Sequence, residues 1–436
     1  MSKSIAVVGG GISGIAAAFQ LQRAGHEVTV IESSDCLGGR FGVGLLGERQ
    51  VMLGGKNIGE RYHSFRSLVD ALGDYAYEPF GINTSRLVDG KLVTVDSNHR
   101  LRSLRVLASA GSLRDVARFV SLAVRSRRGD TNRFLGSRYF TGLAEYSDQR
   151  RLDTYFGTEL VRNILRPMTV RMNGAEPDEM YLGTFGTNIG MMDTYDQLIR
   201  GIGPVLDAFA KMVDLRLNST VEGLVVRDGG VRGLQVAGDG AGTEEIPYDG
   251  VVVATPAYAA AEILKAELPN AADLLGEVRY FPATVVLIEY DRPVFTPEIR
   301  AIALDGGPCS NIGAYGVKDR HIARYTFSGR LARPLPSAEQ LDEWLDDAEA
   351  ILQRHLVPGE VARVRRTTRQ WKSAYCGYLP FHGDFLAKLN QETAPIAGLE
   401  LAGDYLRGVS LEACTRAGYE AATALTRSCS TKPARY

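Results

Sequence analysis

Three glycines, Gly9, Gly11 and Gly14, stand at G-x-G-x-x-G spacing, and a carboxylate, Glu32, follows 18 residues after the last of them. That pattern has a definite chemistry. The first glycine permits a tight turn, the second lets the backbone approach a pyrophosphate, and the third lets a helix lie close on a strand. Ile12 and Ser13 would open that helix, turning its free N–H groups and the positive end of its dipole toward phosphates. Glu32 can accept both hydroxyls of a ribose. The spacing therefore predicts a dinucleotide site made by Gly9, Gly11, Ile12, Ser13, Gly14 and Glu32.

Other reactive residue types form no such pattern. The six histidines, His26, His63, His99, His321, His355 and His382, share no metal-ligand spacing, and no metal site is expected. Asp342, Glu343, Asp346, Asp347 and Glu349 surround Trp344 and Leu345 at helical spacing. They read as the wet face of an amphipathic helix, not as a paired-carboxylate acid/base site. No G-x-S-x-G elbow supports a hydrolase.

The glycine motif needs a strand before it and a helix after it. Ile5 to Val8 is a short apolar run suited to a buried parallel strand, Ile15 to Ala24 reads as a helix ended by Gly25, and Val28 to Ile31 is a second strand ending at Glu32. Leu215 to Val226 and Val231 to Val236 read as strands around the turn Asp228-Gly229-Gly230. A further apolar run, Gly250 to Ala254, ends at Thr255-Pro256. There is no internal repeat.

Composition narrows the class. The 436 residues are 45% hydrophobic and 23% charged, an ordinary globular balance. A net charge of -1 argues against a nucleic-acid binder, which needs cations to displace counterions. The five cysteines include no C-x-x-C pair, so neither a disulfide framework nor a zinc site is expected, and isolated thiols suit a reducing cytoplasm. The first apolar run enters glycines directly and reads as a strand rather than a secretory signal. No apolar stretch approaches the roughly 20 residues of a spanning helix.

Two further segments specify the dinucleotide. Ser33-Ser34-Asp35-Cys36-Leu37-Gly38-Gly39-Arg40 follows Glu32. Far along the chain, Leu399-Glu400-Leu401-Ala402-Gly403-Asp404 precedes Gly408-Val409-Ser410-Leu411-Glu412-Ala413 and a helix to about Leu425. The first resembles the L-G-G-R segment of the FAD-linked amine oxidase superfamily, which includes monoamine oxidases, phytoene desaturases and protoporphyrinogen oxidases. The second resembles the Gly-Asp motif that closes the same site. A nicotinamide-binding Rossmann domain needs neither. The resemblance implies an extended, noncovalently held FAD, with Gly38, Gly39, Arg40, Gly403 and Asp404 along its pyrophosphate and ribityl chain. Val221 and Thr255 also fall at the cofactor by this resemblance, Val221 at the adenine. Gly54, Gly55, Lys56 and Asn57 approach the flavin edge. The helix after Ser410, starting at Leu411, points at the flavin N1–C2=O edge, where its dipole favours reduced flavin. The implied fold is α/β: a Rossmann-type FAD-binding domain (1–76, 206–264, 371–436) interleaved with an α+β substrate-binding domain (77–205 and 265–370).

The branch of the family is marked by departures. Arg279-Tyr280-Phe281-Pro282-Ala283-Thr284-Val285-Val286-Leu287-Ile288-Glu289-Tyr290 resembles the strand beneath the flavin, where monoamine oxidases carry a lysine; here that position is Val285. Of the two aromatic-cage positions, one falls at Ser410 and the other at Tyr378. Tyr405 through Ser410, and Leu165 through Glu179, look more like protoporphyrinogen oxidases, while Met52 through Ile58 lacks their glycine-proline segment. The resemblance thus implies a relative of that branch with a different substrate. The implied activity is an FAD-dependent oxidase or dehydrogenase in a biosynthetic pathway. It would take a hydride from a C–H next to nitrogen, or from an allylic C–H, of a small organic molecule, with O2 as electron acceptor. Tyr378 and Trp371 would position the substrate and Lys56 would supply a cation. The alternatives are an isomerase or cyclase without net redox turnover, a protoporphyrinogen oxidase proper, and a non-catalytic FAD binder.

One stretch stands apart. Arg100 to Arg128 holds eight arginines against one carboxylate, Asp115, with Leu113, Val116 and Val120 on one helical face. It reads either as a helix pair of the substrate domain or as a basic amphipathic surface, 100–128, for peripheral membrane contact or an apolar substrate entrance.

Overall fold

The computed structural model describes residues 2–88, 90–96, 106, 110–192, 194–238, 241–357 and 359–430. Most of the basic stretch before residue 110 therefore lies outside the described residues.

A five-stranded parallel sheet carries the glycine motif. Its order is Asp214–Arg216, Glu27–Ile31, Ser4–Val8, Gly250–Val253 and Leu399–Leu401. Its inner strands are apolar on both faces because both faces are covered. Ile5, Val7 and Val252 pack with the helices Ile12–Arg23 and Leu411–Ser430. Ala6, Val8, Val251 and Val253 pack with Val221, Leu224, Val231 and Leu234 of a three-stranded sheet. The helices approach closely: a Cβ at Gly14 would collide with the Gly9 carbonyl, and one at Gly418 with the Ser13 carbonyl.

The expected strand from Leu215 to Val226 is corrected to two. Asn218, at φ 50°, turns the chain between Asp214–Arg216 and Thr220–Arg227. The first half joins the parallel sheet and the second starts the three-stranded one. Asp228 and Gly229 then form the hairpin tip, both at positive φ as a two-residue turn of matching twist requires.

A seven-stranded mixed sheet forms the other large layer. Its order is Arg363–Gly377, Arg279–Tyr290, Ile322–Phe327, Cys309–Ala314, Ala301–Ala303, Asn83–Val88 and Lys91–Asp96. The strand Arg363–Gly377 runs across the expected boundary at residue 371. One face buries Val286, Ile288, Tyr325 and Phe327 against Leu341, Leu345 and Leu352 of the helix Ala338–Leu356. On that helix Asp342 and Asp346 point outward and pair with Arg366 and Arg363. The opposite face gathers Val285, Leu287, Ile322 and Trp371 against Leu46, Val51 and Leu53.

The described part of the basic stretch is the helix Leu113–Arg127, capped by Ser112, whose hydroxyl accepts from the Asp115 N–H. It buries Phe119 and Leu122 and leaves Leu113, Val120 and Val124 exposed. With Arg138–Ser147 it borders an open hollow of about 820 Å³ lined by Arg118, Arg125, Arg138, Tyr139 and Tyr146 among others. No described helix is long and apolar enough to cross a membrane.

Candidate active site

The dinucleotide half is built around the first turn of the parallel sheet. Gly9 takes φ 105°, and a side chain there would press on the Ala254 carbonyl. A Cβ at Gly11 would meet nothing within 4 Å, so the backbone is open to an outside group at that position. No side chain caps the helix that starts at Ile12 and Ser13, leaving its first N–H groups to an outside acceptor. The Glu32 carboxylate is already oriented: Gly10 N–H donates to Oε2 at 2.6 Å, and Ser34 N–H and O–H donate to Oε1 at 2.9 and 2.7 Å. Ser219 N–H donates to the Glu32 carbonyl, which brings the start of the Val221 strand beside it.

The two later segments fold onto this turn. Gly38 N–H donates to the Gly10 carbonyl at 2.9 Å, and a Cβ at Gly39 would lie 3.6 Å from Gly11 Cα. Gly54 is packed against the Arg40 carbonyl, with no room for a side chain, whereas Gly55 faces open space. Arg40 Nη1 reaches Asp404 at 2.6 Å, and Tyr280 O–H donates to the other Asp404 oxygen at 2.9 Å. Burial alone would weaken the Arg40 charge, but Asp404 reverses this and holds the guanidinium above its ordinary pKa. Thr255 lies between Gly9 and Gly403, and its Oγ1 is buried with no hydrogen-bond partner in the protein. Ser410 Oγ accepts from the Ala413 N–H at 3.1 Å and so starts the closing helix at Leu411. The uncapped helix, the open Gly11 backbone and the orphaned Thr255 hydroxyl fit an extended dinucleotide such as FAD. The residues that would hold it come from both ends of the chain.

The three residues expected at the substrate are placed differently from one another. Trp371 packs with Val285, Leu287 and Leu53 on the inner face of the seven-stranded sheet. Tyr378 is 1% exposed, and its oxygen accepts from the Val409 N–H at 2.9 Å, so it holds the loop before the closing helix. Lys56 turns away from its backbone neighbours Gly55 and Asn57: its ammonium donates to the Tyr315 carbonyl and sits 4.8 Å from the ring centres of both Phe80 and Tyr315. Burial, then the neighbouring Arg324 cation, pushes its pKa well below the usual lysine value. Asn57 Oδ1 accepts from Gln197 at 3.2 Å.

The structure adds residues that the motifs do not mark. Tyr280 joins Asp404 to the Ala257 N–H, which donates to the tyrosine oxygen at 2.9 Å. Arg324 shares the inner sheet face with Leu287, its register partner, and donates to the Met52 carbonyl at 3.2 Å. Arg171, on the helix Arg166–Asn173, donates to Thr84 at 3.1 Å. Burial holds the Tyr375 phenol above its ordinary pKa, opposed by the Arg324 and Arg171 charges. The alternation Ile322-Arg324-Thr326 was the available sign for Arg324, but it acquires meaning only once the sheet face is known.

Comparison with known proteins places the chain. Residues 12–426 match the family model for flavin containing amine oxidoreductases. A coproporphyrinogen III oxidase from Propionibacterium freudenreichii is 25% identical, over 94% of this chain and 88% of that protein. One from Mycobacterium tuberculosis is 25% identical, over 99% of each. Cyclohexylamine oxidase from Brevibacterium oxydans superposes with a TM-score of 0.76 at 18% identity, covering 99% of this chain and 100% of that one. A fatty acid isomerase producing CLA, from P. acnes, superposes at 0.71 with 14% identity, covering 97% and 98%.

Proposed function

The chain belongs to the family of flavin-containing amine oxidoreductases, and on that premise we propose that this FAD-dependent enzyme oxidises an activated C–H bond of a small organic substrate, next to nitrogen or allylic. The observation that carries this reading is the apolar wall at Val285. That residue is 2% exposed and is packed among Leu53, Leu287 and Trp371, so the wall offers no acid or base at this point. When bound, the flavin supplies the two-electron acceptor. A substrate already activated by a nitrogen lone pair or a π-system needs no strong protein base. The protein's part is then positioning and exclusion of water. Trp371 and Val285 pack together on the apolar face of the seven-stranded sheet, and Tyr378 fixes the loop ahead of the closing helix. On this proposal 1–76, 206–264 and 371–436 hold the cofactor, 77–205 and 265–370 hold the substrate, and O2 takes the electrons.

A second reading, oxidation of a porphyrinogen, is favoured by the full-length similarity to coproporphyrinogen III oxidases. One experiment separates the two. The holoenzyme is mixed anaerobically with amines, polyenes and porphyrinogens, and flavin absorbance is followed. Bleaching by an amine or a polyene supports the first reading. Bleaching by porphyrinogens alone, with porphyrin absorption appearing, replaces it with the second. No bleaching by any class, with product formed and no acceptor consumed, overturns both in favour of an isomerase.

A further inference from the structure

A buried carboxylate without a cation stands where the helices of residues 138–190 meet the closing segment. Asp148 follows the helix Arg138–Ser147 and is 3% exposed. No cation pairs with it among the described residues; it accepts from two backbone N–H groups and, at 3.4 Å, from the Ser147 hydroxyl. Gly183 N–H donates to Oδ1 at 2.8 Å and Phe381 N–H to Oδ2 at 3.0 Å. Burial pushes the Asp148 pKa up, and these donors oppose the shift. A Cβ at Gly183 would collide with Ala144 and with the Asp148 carboxylate, so the fit is close. Phe381 is strained in its own right: φ 50° and ψ 41° are left-handed, which a bulky residue rarely adopts. An unpaired buried charge and a left-handed phenylalanine thus meet in one hydrogen bond.

Both arms of Asp148 lead to one glycine. The Gly183 arm is the turn Leu182–Thr184, continued by the short helix Gly186–Gly190 with Thr187. The Phe381 arm runs back to Tyr378. Gly408, at φ 124°, lies where they end: a Cβ there would sit 3.4 Å from Thr187 Cγ2 and 3.5 Å from the Tyr378 oxygen. Tyr378 accepts from the Val409 N–H at 2.9 Å. His382, next to Phe381, joins the Tyr405 carbonyl through Nε2 at 2.7 Å and the Leu379 N–H through Nδ1 at 3.3 Å. The residues held in this way, 404–410, contain Asp404 and lead into the helix Leu411–Ser430. Removing a single one of these bonds leaves the others in place, whereas Asp148 is where both arms join.

We propose that Asp148 is a positioning residue: by holding Gly183 and the left-handed Phe381 together, it sets residues 404–410 and the start of the closing helix, and so couples the packing of the helices in 138–190 to the electron affinity of the flavin. The effect on the flavin rests on the oxidoreductase reading, which puts that helix end at the cofactor, where its dipole favours the reduced form.

The test needs no identified substrate. In hydrogen–deuterium exchange of the wild-type holoenzyme, peptides covering 379–382 and 404–410 should open together, as one cooperative unit. Separate openings overturn the proposal, however any variant folds. Asp148→Asn keeps the volume but turns one accepting oxygen into a donor. It should speed exchange in 404–410 at least about tenfold and make the flavin midpoint potential more negative, with FAD retained. Phe381→Gly removes the left-handed strain, so adding it to Asp148→Asn should restore most of both changes. Equal effects of Asp148→Asn with and without Phe381→Gly rule out the assigned role. Faster exchange with an unchanged potential does so as well, since it leaves Asp148 a part in stability alone. Glu349→Gln disturbs the buried Tyr290–Tyr325 pair on the sheet face opposite Val285 and Trp371. It should lower stability without moving the potential; a shift equal to that of Asp148→Asn would count against the proposal. A protein purified without flavin would instead remove the oxidoreductase reading and the effect on electrons, while exchange alone still reads the linkage.

Discussion

Arg40 and Arg324 are both arginines set deep in this protein, and they are treated in opposite ways. Arg40 has its counterion within the chain, Asp404 at 2.6 Å, and that carboxylate is itself held by Tyr280. Arg324 has only the Met52 carbonyl and nearby phenols. Burial works against both charges; in the first case Asp404 outweighs it, and in the second nothing does. A cation neutralised from within adds to the scaffold, whereas one with only neutral partners keeps its burial cost uncompensated.

The contrast should be largest in stability. Asp404→Ala strands Arg40, and losing one partner of a buried pair costs about 3–5 kcal/mol. Arg40 keeps 32% of its side-chain surface, so about 3 kcal/mol is expected, together with loss of bound FAD. Arg324→Met removes a charge that was never paired and should leave chemical denaturation of the apoprotein within about 1 kcal/mol of wild type. Equal losses from the two variants would erase the distinction.

The next effect is a pH dependence beside the Asp404 segment. His382 is 3% exposed; its Nε2 bonds the Tyr405 carbonyl at 2.7 Å and its Nδ1 accepts from the Leu379 N–H. This fixes a neutral ring, and burial depresses its pKa to about 4 from 6.5. The unfolded chain takes up a proton as pH falls through 6.5, while the folded chain resists until about 4. Stability is thus intact above 6.5, declines across that window by up to about 3 kcal/mol, and is level below it as far as this group is concerned. Urea denaturation at pH 7, 5.5 and 4.5 should show a steeper decline for wild type than for His382→Gln, and parallel declines would refute the assignment.

Glu32→Ala tests the cofactor side without touching either arginine. Loss of charge-assisted bonds worth roughly 1.5–3 kcal/mol each should weaken FAD binding by at least tenfold in reconstitution titrations, since water compensates in part. Smallest of all, Tyr378→Phe leaves the Val409 N–H unpaired and should cost about 1 kcal/mol in thermal stability, with flavin reduction by substrate slowed less than twofold. A tenfold slower reduction would place Tyr378 at the reacting centre.

The half of the site that was readable in the sequence is the half made of backbone. Gly14, Gly38 and Gly54 are placed by close contact with nearby backbone, and Gly9 and Gly39 by positive φ, and such local constraints leave local patterns. Even there, one residue was enough to mislead: Asn218 at positive φ divides an apparently continuous strand. Residues that meet only through strand pairing or distant packing resist such reading: Arg324 lies beside Leu287 only because their strands pair, and Tyr280 reaches Asp404 across 124 residues. Lys56 was legible as a cation near the glycines, but its direction, toward Tyr315 and Phe80, was set by elements more than 250 residues away in one case and 24 in the other.

The order of strands in the parallel sheet has a consequence for how the protein is made. Its edge strand Leu399–Leu401 and the helix Leu411–Ser430 that covers it leave the ribosome after every other strand of that sheet. Until they emerge, the glycine turn near the start faces an unfinished sheet, with Gly250–Val253 unpaired along one side. Arg40 meanwhile waits for Asp404, 364 residues downstream. Formation of the Arg40–Asp404 pair therefore waits for residue 404, and a chain stopped short of residue 399 would leave Gly250–Val253 as an open edge.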